Sequence, residues 1–128
     1  EELGTKLNPY KTISSGINAV DSILKYVFIA NGVYEIDNTI YIGKSMSIIG
    51  ESLSVILDGL SKKTIFSVYS ASTELSIFNV TFRNGYDDAG GAIYNDQSKL
   101  NLIGDVFENN TAYVSNKIGW LDSLINSW

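Results

Sequence analysis

Two stretches of this chain repeat at a fixed interval, and that constrains the fold most. Leu75-Ser-Ile-Phe-Asn-Val-Thr-Phe-Arg-Asn-Gly85 aligns with Leu100-Asn-Leu-Ile-Gly-Asp-Val-Phe-Glu-Asn-Asn110 at an offset of 25. Leu75 meets Leu100, Ile77 meets Leu102, Phe78 meets Ile103, Phe82 meets Phe107 and Asn84 meets Asn109. Met46-Ser-Ile-Ile-Gly50 matches Leu75 to Asn79 at an offset of 29. Thr64-Ile-Phe-Ser-Val68 matches Gly91-Ala-Ile-Tyr-Asn95 at 27. Repeats of about this length belong to stacked solenoids, where each unit buries its apolar face on the next.

The apolar runs are short. Tyr26 to Ala30, Val33 to Ile36, Thr39 to Ile42, Met46 to Ile49 and Ser54 to Leu57 each end at an Asn, Asp or Gly turn signal within a residue or two. Sandwich strands are longer, with turns roughly every 8–12 residues. Short strands, Asn/Gly corners and a near-25 period together predict coils of a parallel β-helix. The unequal offsets predict loops of variable length leaving the coils.

Both ends read differently. Ile13, Ile17, Val20 and Leu24 are spaced as on one helix face, with Ser14 or Ser15 as N-cap and Gly16 as a weak point. Trp120, Leu121, Leu124, Ile125 and Trp128 also recur at helical spacing. An uncovered final coil exposes unpaired backbone and core, so solenoids need caps. The chain is therefore read as one domain: a lead-in over 1–9, an N-terminal capping helix over 10–25, about four coils over 26–112 and a C-terminal capping helix over 113–128. The aromatic stripe Trp120, Leu124 and Trp128 also suits a homodimer contact.

Composition narrows the chemistry. The chain has 128 residues, no Cys and no His, and a formal net charge of -5. Cys nucleophiles, Ser-His-Asp triads and thiolate or imidazole zinc sites are excluded. An acidic chain without a basic block argues against nucleic acid and anionic membranes. No apolar run approaches the roughly 20 residues of a membrane span. The chain opens Glu1-Glu2 without Met, as expected of a processed chain or of a piece excised from a longer one.

The segments Met46 to Glu51, Val55 to Gly59, Leu75 to Gly85, Gly90-Gly-Ala-Ile-Tyr-Asn95 and Val106-Phe-Glu-Asn-Asn-Thr-Ala112 resemble the right-handed parallel β-helix repeats of archaeal and bacterial adhesin-like surface proteins. Gly90 to Ile93 matches the Gly-Gly-Ala-Ile strand of those families, and Phe107 to Asn110 their Phe-x-x-Asn corner. Tyr10 to Ala19 is similar to the helix that opens many pectate-lyase-like domains. The resemblance implies an all-β, right-handed parallel β-helix at the cell surface, extracellular and non-catalytic, binding carbohydrate or a partner protein through a side face. It leaves two alternatives: a fragment of a polysaccharide lyase or glycosidase, and a spacer without a ligand.

Few residues are candidates for a site. Asp87-Asp88-Ala-Gly-Gly91 reads as a calcium loop or as an ordinary polar turn. Arg83 follows Phe82, so alternation turns it outward, either to grip an acidic sugar or to sit solvated. Tyr34, Tyr41, Tyr69, Tyr86, Tyr94 and Tyr113 lie near strand ends. Of these, Tyr69, Tyr86 and Tyr94 join Arg83 as the candidate binding residues, because an exposed Tyr ring suits a sugar face. Asp58 and Asp96 stand singly at turns. Asp105 aligns with inward Val80, so either the last coil shifts register or the carboxylate reaches backbone amides. Asn84, Asn95, Asn109 and Asn110 are expected to bond the corner backbone.

Overall fold

The computed structural model describes residues 12–113. The chain winds into a parallel β-solenoid of about three turns. The first turn holds β1 (Tyr26–Ile29), β2 (Gly32–Glu35) and β3 (Ile40–Ile42). The second holds β4 (Met46–Gly50), β5 (Val55–Asp58) and β6 (Phe66–Tyr69). The third holds β7 (Glu74–Phe78), β8 (Thr81–Arg83), β9 (Tyr86–Asp87) and β10 (Ile93–Asp96). β11 (Lys99–Ile103), β12 (Val106–Glu108) and β13 (Thr111–Ala112) begin the next turn.

Like strands stack on like. The first face runs β1-β4-β7-β11, the second β2-β5-β8-β12 and the third β3-β6-β10, with β9-β13 as a short fourth ribbon. Every pairing is parallel. The offsets read from the sequence are the observed registers: Leu75 pairs Leu100, Met46 pairs Leu75, and Phe66 pairs Ile93. The number of turns is a correction. Four coils were expected, but four strands stacked on one face enclose only three full intervals.

Alternation sends every second side chain inward, where equivalent positions form columns. Val27, Ile48, Ile77 and Leu102 make one such column. Tyr34, Leu57, Phe82 and Phe107 make another. Phe82 is fully buried; its ring stacks on Phe107 at 5.1 Å and meets Phe66 edge-on at 5.4 Å. Tyr34 sits at the near end of its column and donates its hydroxyl to the Ala30 carbonyl at 2.7 Å.

The corners explain the Asn content. Asn79, Asn84 and Asn109 adopt positive φ of 57°, 56° and 55°. Asn tolerates this left-handed conformation better than most residues. Asn110 bridges two turns, accepting the Gly85 N–H at 2.8 Å and donating to the Phe82 carbonyl at 3.1 Å. Asn95 closes its own turn against Ser98.

The N-terminal helix is shorter than the expected span of 10–25. α1 covers only Ile13–Asn18, with Ile13, Gly16 and Ile17 buried. Its N-cap is Thr12, not Ser14 or Ser15: the Thr12 hydroxyl accepts the Ser15 N–H at 3.1 Å. The Asp21 carboxylate then takes the N–H groups of Ile23 and Leu24, fixing a turn where a longer helix was expected. The lead-in over 1–9, the C-terminal helix beyond Tyr113 and the contact through Trp120, Leu124 and Trp128 lie outside the described residues.

Asp105 keeps the 25-residue register, since Val106 pairs Thr81 next to it. Its Oδ1 accepts the Val80 N–H at 2.9 Å, while Oδ2 is buried without a partner among the described residues. Burial pushes this carboxyl up to about 6, against the pull of the Val80 and Ile103 amides.

Candidate functional site

Among the described residues, the third face carries the most exposed aromatic surface in a shared register. On β3, β6 and β10, Tyr41, Ser67 and Tyr94 are register partners. Ile40, Phe66 and Ile93 point into the core, so this next column faces out. Tyr41 is 68% exposed and Tyr94 40%. Two residues on, Tyr69 pairs Asp96. The Tyr69 ring covers Gly43 and fills the space that a side chain there would occupy. Gly43 thus lets Tyr69 lie along the face, still 48% exposed.

A groove of about 190 Å³ opens beside this column. Tyr41, Ser67 and Tyr94 line it together with Thr39, Thr64 and Asp87. None of its lining residues is basic. Thr39 donates its hydroxyl to the Thr64 carbonyl at 2.7 Å. Thr64 is only 6% exposed, and its own hydroxyl has no partner among the described residues. A covered, unpaired hydroxyl is a standing polar demand beside the groove.

Tyr86 and Tyr113 form a separate pair on the short ribbon, stacked at 5.0 Å. Asp87 and Asp88 lie beside them. The Asp88 carboxyl titrates above the usual range because it is hydrogen-bonded to Asp87, with burial and like charge adding to the shift. Burial, then the two carboxylates, also raise the Tyr113 hydroxyl. Ca²⁺ takes about six to eight oxygens. Among the described residues, no group of three or more acids converges as a metal site.

Arg83 sits elsewhere, on the second face. Its Nε donates to the Asp58 Oδ2 at 2.9 Å. Alternation turns it outward as expected, but the guanidinium is engaged and half-buried rather than free. Asp58 is only 7% exposed. Burial raises its carboxyl, but the Leu60 N–H, the Asn84 amide and Arg83 together outweigh that and hold it below the usual range. Glu35, Asp58, Arg83 and Glu108 are successive register partners. Asp58 is therefore not single: the offset of 25 that pairs Phe82 with Phe107 also links Asp58, Arg83 and Glu108.

Of the expected binding residues, the third face unites Tyr69 and Tyr94, and adds Tyr41, Ser67 and Thr64. Tyr86 belongs to the neighbouring ribbon, and Arg83 to another face. The signal for Ser67 was its place between the two Tyr at offsets of 26 and 27. For Thr64 there was no signal, since a lone Thr before a strand looks like any other.

The fold and this face define a parallel β-solenoid with an aromatic side face. No family model, curated protein or solved structure matches the chain.

Proposed function

We propose that this protein is a non-catalytic carbohydrate-binding module that uses the third face of the solenoid. The observation that carries the reading is the alignment of Tyr41, Tyr69 and Tyr94, all exposed, on one regular face beside a hydroxyl-lined groove. Rings of this kind offer a flat apolar surface for sugar C–H groups, with a polar tip for hydroxyls. The rungs beneath them are held by parallel pairing on fully buried Phe66 and Val68, so the platform is preorganised. With the repeat resemblance, this gives an adhesin-like module, winding right-handed, in an extracellular, cell-surface setting.

A polysaccharide lyase or glycosidase fragment is the second reading, favoured by the register column of Glu35, Asp58 and Glu108 around Arg83. Against it, Asp58 is held ionised, the reverse of what a general acid needs.

The test is binding to a panel of polysaccharides with release of reducing ends read in the same wells. Binding without turnover, weakened about tenfold in Tyr94→Ala, is expected. Turnover, or binding that Tyr94→Ala leaves intact, overturns the reading. Retention of a protein with no affinity for any glycan replaces carbohydrate by a protein partner.

A further inference from the structure

We infer that the ligand is a neutral, extended β-linked glycan lying along the solenoid axis, with alternate sugar rings on Tyr41 and Tyr94. This rests on the carbohydrate reading above and deepens it.

The spacing of the column matches such a chain. Tyr41, Ser67 and Tyr94 occupy three successive rungs of one column. Parallel strands lie about 4.8 Å apart, so the two Tyr positions are about 9.6 Å apart along the axis. That is close to the distance between alternate rings of an extended β-linked hexose chain. In such a chain, every second ring presents the same face to the same side. The ring between them passes over Ser67, whose small side chain leaves room and offers a hydroxyl. A helical α-linked chain does not hold alternate rings in line.

The charge around the column favours a neutral ligand. The groove contributes the Asp87 carboxylate and the hydroxyls of Ser67 and the two Tyr, with no basic side chain. Asp96 adds an exposed acid beside Tyr69. A uronate chain would bring its carboxylates against Asp87 and Asp96, with no basic side chain among the described residues lining the groove. A neutral chain meets acceptors for its hydroxyls instead.

The experiment is calorimetry with cello-oligosaccharides of increasing length, β-linked oligomannuronides and malto-oligosaccharides. Affinity is expected to rise about tenfold between the dimer and the trimer, when a second ring reaches the second Tyr. Tyr41→Ala, with its fold checked by circular dichroism, removes that rise and leaves the weak binding of one platform. Ser67→Arg places a cation between the platforms; it is expected to weaken the neutral ligand and recruit the uronate. Equal or tighter uronate binding by the wild type, equal malto-oligosaccharide binding, or affinity independent of length overturns this inference while the carbohydrate reading stands. No binding to any of the three sugars overturns both.

Discussion

The second and third faces are built on the same rungs and put them to opposite uses. On the second face, Asp58 and Arg83 answer each other across neighbouring turns, and Leu60 and Asn84 complete the shell. On the third, Tyr41, Ser67 and Tyr94 stand in register with no polar partner spanning the column among the described residues, and a groove opens beside them. A solenoid lattice repeats whatever it is given every turn. Complementary charges in a column stabilise the stack; aligned aromatics leave it unchanged and present a surface. The difference lies in what stands one coil away.

The largest effect should come from Phe82, which lies behind both faces. Phe82→Ala removes the centre of the Phe66–Phe82–Phe107 cluster and should cost about 4 kcal/mol by urea unfolding. A loss under about 1 kcal/mol would mean that the faces do not share one core.

Next is Asp58→Ala. It strands Arg83 and the Leu60 N–H and should cost about 2 kcal/mol, less than a fully buried pair would because Arg83 is part-exposed. Asp58 has a depressed folded pKa, so its contribution is full above the unfolded value and is lost as pH falls through the folded one. The gap between wild type and variant should therefore close in acid. A gap that does not change with pH would deny the charge ladder its role.

Asp105 has the opposite sign. Its folded pKa is raised to about 6, so the penalty for ionising it is absent below the unfolded value near 4 and full above about 6. Stability should fall as pH rises across that window. Asp105→Asn keeps an acceptor for the Val80 N–H and should gain about 1 kcal/mol at neutral pH, a figure discounted for partial solvent exposure, and nothing at pH near 4. Equal gains at both pH values would contradict this.

Tyr41→Ala should give the smallest change in stability, within about 0.5 kcal/mol, because the ring is mostly in water. If it destabilises as much as Asp58→Ala, the two faces are not different in kind.

Much of this was legible in the sequence, for a physical reason. A parallel stack places equivalent residues one period apart, so self-alignment is a contact map. Where the period holds at 25, it gave the registers of β7 with β11 and β8 with β12, together with the corner Asn84 and Asn109. The first turn was harder. β1 meets β4 at 21 and β2 meets β5 at 23, because the first corners are shorter, and Val27 resembles Ile48 only in being apolar. The helix is shorter than its apolar spacing suggests, since Val20 and Leu24 continue that spacing after α1 has ended at Asn18 and the chain turns at Asp21. The third face was half seen: Tyr69 and Tyr94 stood out as aromatics, but the lattice, not the residue type, separates them from Tyr86. The Asp58–Arg83 pair was in plain view at an offset of 25 and was hidden by reading the acids one at a time.

Amide chemical-shift mapping during titration with cello-oligosaccharide tests the central claim most directly. The account predicts shifts concentrated on β3, β6 and β10, around Tyr41, Ser67 and Tyr94, and extending to Thr64 and Asp87. Shifts centred on Asp58 and Arg83, or none at saturating sugar, would contradict it.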